Sequence, residues 1–272
     1  MPARKKINFI QSLARGLSVL QAFSAQRPTL TLTDIASITG MNLTAVQRFT
    51  DTLMELGFLG RNKYKEFFLG PAVMSLGFAF LHGSQLTTQA EVYLSEFGEK
   101  VNRTVNLAVL DGDQIVFLYR KEAQRFLKFN LHAGSKLPSY CTGSGKVLLA
   151  SLDDKELRRL IDKMEMEPIT SHTIVDRKLL WNDLMETRNR GYSVCDRELS
   201  LALYSLAIPL INDERKVVAA VNLSLSSEEA KGEFLEDRTR RLIDLGRTLS
   251  KSLGYEGEYP IFPHNGGTGD RK

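Results

Sequence analysis

Apolar residues recur at helical spacing through the first seventy residues of the chain. In the first segment they are Ile10, Leu13, Leu17, Leu20 and Phe23, and this spacing predicts one amphipathic helix. A second helix is expected from about Thr31–Thr33 to Gly40, because a hydroxyl side chain caps a helix start and glycine tolerates the left-handed conformation that ends one. A third helix is expected to begin at Asn42 or Thr44 and to run to about Gly57.

The third helix separates an apolar face from a polar one. At about 100° per residue, the apolar face holds Val46, Phe49, Leu53 and Leu56, and the opposite face holds Thr44, Gln47, Arg48 and Asp51. In a DNA major groove, arginine suits guanine, glutamine suits adenine and threonine suits either. The spacing of Ala36, Gly40 and Val46 permits the close approach and sharp turn of a helix-turn-helix. We therefore interpret this segment as a DNA-reading helix.

Residues 58–69 predict a hairpin with a basic tip. Two short hydrophobic stretches flank Arg61, Lys63 and Lys65, which alternate along the chain and are expected to share a face towards a phosphate backbone. An ordinary three-helix domain with a surface hairpin is the alternative. The order of helix, turn, polar-faced helix and basic wing favours DNA binding by residues 1–70.

Basic charge is concentrated in the same segment. Residues 1–70 hold nine basic and four acidic residues, whereas the rest of the chain holds 27 basic and 28 acidic ones. A small basic end on a nearly neutral body is typical of a nucleic-acid-binding module, although a basic surface without a partner has the same charge.

Length and composition restrict the class of protein. The chain has 272 residues, 43% of them hydrophobic and 25% charged, which fits two globular domains and excludes wholesale disorder. The first residues lack an apolar signal core, and the most apolar window, 67–81, is shorter than the ~20 residues that span a bilayer. Cys141 and Cys195 form no CxxC pair, which favours a reducing compartment. We expect a soluble, cytoplasmic protein with no membrane partner.

Residues 71–100 are expected to form linker helices. Leu69, Val73, Leu76 and Phe80 recur at a spacing of four and three, which predicts a helix that leaves the wing with an apolar face. Such a face needs a cover, and a second subunit supplies one. Burial within the same chain is the alternative.

From residue 103 the pattern changes to strands followed by helices. Asp111-Gly112-Asp113 separates strands at 105–110 and 114–119 and is typical of a hairpin. Further strands are expected at 126–131, 192–195, 205–211 and 217–225, and helices at 143–163, 177–190 and 228–253. The pattern predicts an α+β domain over 101–254, and the Gly- and Pro-rich tail 255–272 is expected to be disordered.

No catalytic or metal motif in this second domain is complete. Gly143-Ser144-Gly145-Lys146 resembles part of a phosphate loop, but Tyr140 and Val147 stand where that motif requires glycine and a hydroxyl residue. Cys141 has no histidine nearby in sequence, and the four histidines lack metal-ligand spacing. We expect no cofactor, no metal site and no enzymatic activity. An enzyme acting on a small acid and an architectural DNA-binding protein without a ligand are the alternatives.

A carboxylate site is the better-supported chemistry for this segment. A helix that opens at Gly143 and Gly145 leaves backbone N–H groups free, and such groups suit an anion. A packed strand-to-helix turn is the alternative.

Several separated segments resemble the IclR family of bacterial transcriptional regulators. They are Ser12–Leu20, Thr33–Ala36, Thr44–Arg48, Leu137–Ala150, Gly191–Asp196 and Ser205–Pro209. The resemblance covers about residues 10–250, and the stretch Leu137–Thr142 is most similar to the subgroup that controls aromatic-acid and β-ketoadipate catabolism. It implies a winged helix-turn-helix domain, a linker helix and a C-terminal GAF/PAS-like α+β effector-binding domain.

Candidate contacts follow from the residue pattern and the resemblance together. The expected DNA contacts are Arg15, Asn42, Thr44, Gln47, Arg48, Arg61, Lys63 and Lys65. The positions that match the family's effector contacts are Phe126, Phe129, Leu137, Cys141, Gly143, Ser144, Asp196, Leu203 and Ser205. The family often has cysteine in place of Ser205, and Gly-Leu-Arg in place of residues 202–204. Two phenylalanines together with Tyr204 favour an aromatic or larger acid.

The sequence therefore predicts a ligand-responsive transcriptional regulator. It is expected to bind double-stranded DNA at a palindromic operator as a homodimer or tetramer. Its effector is expected to be a small organic acid of the aromatic class, and its target a catabolic operon.

Overall fold

The fold is that of a computed structural model, which describes residues 8–24, 26–82, 85–123 and 131–262. The chain divides between residues 83 and 84 into two compact units, called here the N-terminal and the C-terminal unit. Each unit has its own hydrophobic core. No helix in these ranges is both long enough and apolar enough to cross a bilayer.

The described part of the N-terminal unit combines helices with a small antiparallel sheet. The helices are α1 (Gln11–Gln21), α2 (Leu32–Thr39), α3 (Leu43–Glu55) and α4 (Pro71–His82). The strands are β1 (Thr29–Leu30), β2 (Leu59–Arg61) and β3 (Phe67–Leu69), in the order β1-β3-β2. β2 and β3 form the predicted hairpin, and the core beneath it is made by Val19, Ile35, Val46, Leu59 and Phe67.

Side-chain caps fix where α2 and α3 begin. Thr31 Oγ1 accepts the N–H of Asp34 at 3.2 Å, and the Asp34 carboxylate accepts the N–H of Thr31 at 2.8 Å, so the two residues form a capping box. Asn42 Oδ1 accepts the N–H of Ala45 at 2.9 Å at the start of α3. Gly40 ends α2 in the left-handed conformation, with φ of 67°. The predicted helix-turn-helix order and its boundaries are confirmed.

The predicted core stripe of α1 is only partly correct. Leu13 and Leu17 are 59% and 50% exposed, whereas Val19 and Phe23 are buried. The reason is that α1 contacts the core of its unit through its last turn only. Leu56, at the end of α3, is likewise 59% exposed.

The C-terminal unit is an antiparallel sheet with helices on both faces. Its helices are α5 (Gln85–Val101), α6 (Gly143–Ala150), α7 (Asp154–Lys163), α8 (Arg177–Arg190) and α9 (Gly232–Ser252). Its strands are β4 (Val105–Asp111), β5 (Gln114–Lys121), β6 (Lys136–Pro138), β7 (Ser193–Asp196), β8 (Leu203–Ile211) and β9 (Val217–Ser226), in the order β6-β5-β4-β9-β8-β7. The described part of the chain thus has the predicted α+β class.

The two faces of the sheet carry different helices. α6 packs on the face that holds Ala108, Ala207 and Ala220, and α8 packs on α6. α9 packs on the other face, where a methyl group at Gly246 would collide with the Ile208 side chain. Small alanines on the first face allow α6 to lie close to the strands, which positions the site described below.

Three details of this unit differ from the sequence prediction. The helix expected at 143–163 is two helices, because Asp153 caps a new start by accepting the N–H of Glu156 at 2.8 Å. The short strand β6 pairs with β5 and was not predicted. The strand expected at 126–131 falls almost entirely outside the described residues.

The predicted disorder from residue 255 is wrong for residues 255–262. Tyr255 and Phe262 are buried, and the Tyr259 hydroxyl donates to the Pro209 carbonyl oxygen at 2.7 Å. Gly and Pro in this stretch are interspersed with aromatic side chains, and burial of those rings stabilises an ordered path. Residues 263–272 lie outside the described part.

The predicted linker is divided between the two units. α4 lies in the N-terminal unit, whereas α5 lies in the C-terminal unit and packs on α9, β4 and β5. Leu69 belongs to β3 rather than to the linker helix. The side chains of Met74, Leu76 and Phe80 on α4 are 74%, 60% and 61% exposed, so the chain itself leaves this apolar surface uncovered.

Candidate functional site

The polar face of α3 is exposed in the N-terminal unit. Thr44 and Arg48 are exposed there, and Arg48 has no ion pair among the described residues. Gln47 is half-buried, and its Nε2 donates to Asp51 Oδ1 at 2.6 Å, which leaves its carbonyl oxygen outward. Asn42 uses its side-chain oxygen as the cap of α3, so only its amide N–H groups remain for a partner.

The wing presents the three predicted basic side chains to solvent. Arg61, Lys63 and Lys65 are all exposed. Asn62 shapes the tip, since its Oδ1 accepts the N–H groups of Tyr64 at 2.9 Å and Glu66 at 3.0 Å. Arg15 is exposed on α1 of the same unit. The N-terminal unit therefore offers a polar helix face and a basic hairpin.

In the C-terminal unit, the first turn of α6 lies against the sheet. Thr142 caps this helix, with its hydroxyl oxygen accepting the N–H of Gly145 at 3.2 Å. A methyl group at Gly145 would collide with the Ser139 backbone, and one at Gly143 would lie 2.8 Å from Ser205 Oγ. Close packing thus requires both glycines, as in the packed-turn interpretation, and it also brings the helix start to the polar surface of the sheet.

Polar residues form a row across four neighbouring strands on that face. The residues directly opposite one another are Arg120 on β5, Asn106 on β4, Asn222 on β9 and Ala207 on β8. Residues opposite one another in a sheet point to the same side. Two positions further along lie Ser224 on β9, Ser205 on β8 and Cys195 on β7, which form a second row on the same face.

Hydrogen bonds connect the first row to α6. Arg120 Nη1 donates to Asn106 Oδ1 at 2.8 Å, and Asn106 Nδ2 donates to Asn222 Oδ1 at 3.0 Å. The same Asn222 oxygen accepts from Ser144 Oγ at 3.2 Å, and Asn222 Nδ2 donates to Ser205 Oγ at 3.1 Å. Buried polar side chains linked in this way hold one another in fixed orientations.

A cavity of about 40 Å³ lies between these rows and α6. The predicted effector residues that line it are Leu137, Cys141, Gly143, Ser144, Leu203 and Ser205. Asp196 does not line it. Its carboxylate is held by Arg197 at 2.8 Å, and this hydrogen bond lowers the pKa of Asp196. Phe126 and Phe129 lie outside the described residues.

Sequence reasoning missed four polar residues of the cavity wall. They are Asn106, Arg120, Asn222 and Ser224. Three of them had a visible signal, because Val-Asn-Leu at 105–107 and Val-Asn-Leu-Ser-Leu at 221–225 place polar residues inside otherwise apolar strands. A polar side chain at a buried strand position usually has a hydrogen-bond partner or a ligand.

A β-bulge hides the fourth residue, Arg120, from sequence reasoning. Leu107 pairs with Tyr119 and Ala108 pairs with Phe117, so Leu118 is an extra residue in β5. A one-residue shift moves the following side chains to the other face of the sheet. Arg120 therefore shares a face with Ile115 and Phe117, which strict alternation would not place there.

Arg120 is the cationic residue of the described cavity wall. Its side chain is 10% exposed, and Nη2 forms an ion pair with Glu122 at 2.8 Å. Its Nε–H group is buried and has no hydrogen-bond partner among the described residues. A buried donor on a charged group is costly to leave unpaired.

Lys146, which the sequence placed in a phosphate-loop-like run, is buried away from any loop. Its ammonium group is paired with Glu198 and lies 2.9 Å from Asp183. The adjacent Cys141 is buried, which raises the pKa of its thiol to about 12. Cys141 is therefore a neutral thiol at physiological pH and not an activated nucleophile. Among the described residues, no three His, Cys, Asp or Glu side chains are grouped to hold a metal ion.

Comparison with known families matches both units. Residues 12–63 match the IclR helix-turn-helix domain, and residues 78–251 match the domain described as bacterial transcriptional regulator IclR C-terminal. The chain belongs to the IclR family. It is thus a DNA-binding transcriptional regulator, and the resemblance seen in the sequence is confirmed.

Individual relatives place this IclR-family member more closely. It is 34% identical over 232 residues to the Pca regulon regulatory protein of Pseudomonas putida, covering 85% of this chain and 79% of that one. A solved structure of a transcriptional regulator from Rhodococcus sp. RHA1 is 32% identical, with a TM-score of 0.75 over 90% of this chain and 99% of that one.

A second solved structure shares the fold and carries a ligand. It is an IclR homologue from Microbacterium hydrocarbonoxydans complexed with 4-hydroxybenzoate, 22% identical, with a TM-score of 0.76 over 89% of this chain and 99% of that one. These relatives are regulators, which excludes the enzyme alternative and agrees with the aromatic-catabolism subgroup.

Proposed function

We propose that this regulator binds a palindromic operator as a homodimer or tetramer and responds to a small aromatic acid that occupies the cavity beside α6. The observation that carries the proposal is the polar cavity itself, with an arginine, two asparagines and the start of a helix around it. Convergent polar groups in an otherwise apolar pocket are typical of a small-molecule site. A Pca regulon regulator and a homologue bound to 4-hydroxybenzoate support the aromatic class.

On the DNA side, α3 reads base edges and the surrounding basic residues contact phosphates. Arg48 and Gln47 are assigned to the bases, with Asn42 and Thr44 at the start of the helix. Arg15, Arg61, Lys63 and Lys65 supply the salt-dependent attraction. Two copies of α3 related by a two-fold axis would match a palindromic site.

The size of the cavity suggests how the ligand acts. An apolar cavity of ~150 Å³ holds benzene, whereas this one measures about 40 Å³. An aromatic acid therefore enters only if α6 and the sheet move apart. A ligand that binds one arrangement better than the other shifts the population of the two, and the DNA affinity changes with it. Control of a catabolic operon by the acid that the operon consumes is the physiological role that this mechanism fits.

The effector class is tested by a thermal-shift panel of aromatic and short-chain acids on the full-length protein. An acid at 100 times its Kd is expected to stabilise the protein by about 2.7 kcal/mol. Aromatic acids are expected to give the larger shifts. A stronger response to short-chain acids would contradict the aromatic class, and no response to any acid would contradict the effector proposal.

A further inference from the structure

We propose that Arg120 binds the carboxylate of the effector, with the acid oriented away from the start of α6 and towards β5. This inference rests on the proposed function, since it assigns an orientation to the proposed acid. The geometry that carries it is the pairing of a bulge in β5 with a buried, unpaired guanidinium N–H at the cavity wall.

The hydrogen-bond capacity of Arg120 is incomplete. Nη1 is used by Asn106 and Nη2 by Glu122, whereas the buried Nε–H has no acceptor among the residues that the structure describes. A carboxylate binds arginine best through two parallel N–H groups. The Nε and Nη2 edge offers such a pair, and a ligand carboxylate there would satisfy Nε and replace Glu122 at Nη2.

The bulge gives this arginine its direction. Because Leu118 is an extra residue, the side chain at position 120 points to the side of Phe117 rather than to the side of Tyr119. Bulges often redirect a side chain next to a functional site. Without it, Tyr119 would face the cavity and the guanidinium would lie on the opposite face, beside α5 and α9.

The start of α6 is the weaker anion site of the two. A helix end carries only about half an elementary charge, whereas a guanidinium carries a full one. One of the first N–H groups of α6 is already accepted by Thr142 Oγ1, and the Ser144 hydroxyl donates to Asn222. The helix start is thus left for an uncharged polar group of the ligand, such as a phenol or a carbonyl.

Glu122 is the group that competes with the ligand. It pairs with Arg120 at 2.8 Å, but its side chain is 31% exposed, so solvent screens its charge more than that of the buried guanidinium. Removing its charge is therefore expected to free Arg120 for a ligand carboxylate. This gives a gain of affinity that a misfolded protein cannot produce.

The test compares acids with their neutral amides on the full-length protein by calorimetry. The probe pairs are 4-hydroxybenzoate with 4-hydroxybenzamide, benzoate with benzamide, and acetate with acetamide. For the wild-type protein, an acid is expected to bind and its amide to bind at least about tenfold more weakly. Arg120→Gln is expected to weaken binding of that acid by at least about tenfold while leaving the amide unchanged, and Arg120→Lys to retain part of the affinity.

Two further variants separate the possible failures. Arg241→Gln, which removes an arginine from a surface ion pair with Asp237 on α9, is the matched control and is expected to bind like the wild type. Glu122→Gln is expected to bind the acid several-fold more tightly. Undiminished binding by Arg120→Gln, or no gain from Glu122→Gln if the first variant fails to fold, would overturn the role of Arg120 alone. No binding of any of the three acids to the wild type would overturn the acid effector as well.

Discussion

At the scale of single residues, the C-terminal unit depends on charges that are buried together. Lys146 is inaccessible to solvent and is held between Glu198, which is also buried, and Asp183. Glu198 belongs to the segment that continues to Leu199 and Leu203 at the cavity wall, whereas Lys146 lies on α6. The ion pair therefore joins the two walls between which a ligand would bind.

Loss of Lys146 alone is expected to be more damaging than loss of the whole pair. Lys146→Met leaves two carboxylates without their buried partner and is expected to lower the free energy of unfolding by about 3–5 kcal/mol. The double variant Lys146→Met with Glu198→Leu removes the unpaired charge and is expected to recover a large part of that loss. Urea denaturation of both variants measures the difference. A single variant as stable as the wild type would contradict this account.

Arg48 is the residue on which base recognition is expected to depend most. Arg48→Ala is expected to weaken operator binding by about 1–3 kcal/mol and to relax the base preference, because a bidentate contact to a base is lost. Arg48→Lys keeps the charge but not the planar fork, so it is expected to relax the base preference with little effect on the salt dependence. Selection from a randomised DNA library with each purified protein reports both properties. Unchanged preference in both variants would remove Arg48 from the recognition residues.

The sequence predicts single site residues where a motif is local and fails where the fold brings distant residues together. Gly143 and Ser144 follow from a glycine pattern at the start of a helix, and both line the cavity. Arg120 requires knowledge of the bulge at Leu118, which depends on the pairing of β5 with β4. Asp196 is misplaced because the neighbouring Arg197 holds its carboxylate outside the cavity.

At the scale of elements, periodicity predicts most helices and strands, but not which part of an element is buried. The hairpin of β4 and β5 and the helix α8 lie where the pattern places them. The apolar stripe of α1 is mostly exposed, because a helix pattern marks an apolar face and says nothing about whether the same chain covers it. The tail 255–262 is ordered because three aromatic side chains bury against the C-terminal unit, which its Gly and Pro content conceals.

The wing is expected to act through charge and not through sequence. Lys63→Ala and Lys65→Ala are each expected to weaken binding to operator and to unrelated DNA by the same factor. Each is also expected to reduce the slope of log affinity against log salt by about 1, because one phosphate contact is lost. Titrations at several salt concentrations measure the slope.

An exposed lysine elsewhere provides the control for the wing. Lys216, between β8 and β9, is paired with Glu214, and Lys216→Ala is expected to leave the slope unchanged. A loss of affinity for the operator only, with an unchanged slope in the wing variants, would show that the wing reads bases instead.

At the scale of the whole molecule, the exposed apolar surface of α4 agrees with assembly into a dimer or tetramer. Contiguous apolar side chains on a soluble protein usually mark an interface. Leu76→Lys is expected to weaken self-association at least about tenfold, since it replaces a buried leucine by a charge in each of two subunits. Sedimentation over a range of protein concentrations measures this.

A leucine of equal exposure in the other unit is the matched control. Leu76 is 60% exposed and Leu179 on α8 is 59% exposed. Leu179→Lys is expected to leave self-association unchanged. Equal effects of the two substitutions, or no effect of Leu76→Lys, would contradict an interface at α4.

The central claim is that one chain binds DNA and changes its DNA affinity when an acid binds the C-terminal unit. The most direct measurement is the affinity of the full-length protein for the intergenic DNA beside its own gene, by fluorescence anisotropy at fixed salt, with and without each acid of the panel. An acid that stabilises the wild-type protein is predicted to change this affinity at least about fivefold, the lower end of a typical coupling between two sites. Identical DNA affinity with and without an acid that demonstrably binds would contradict the account.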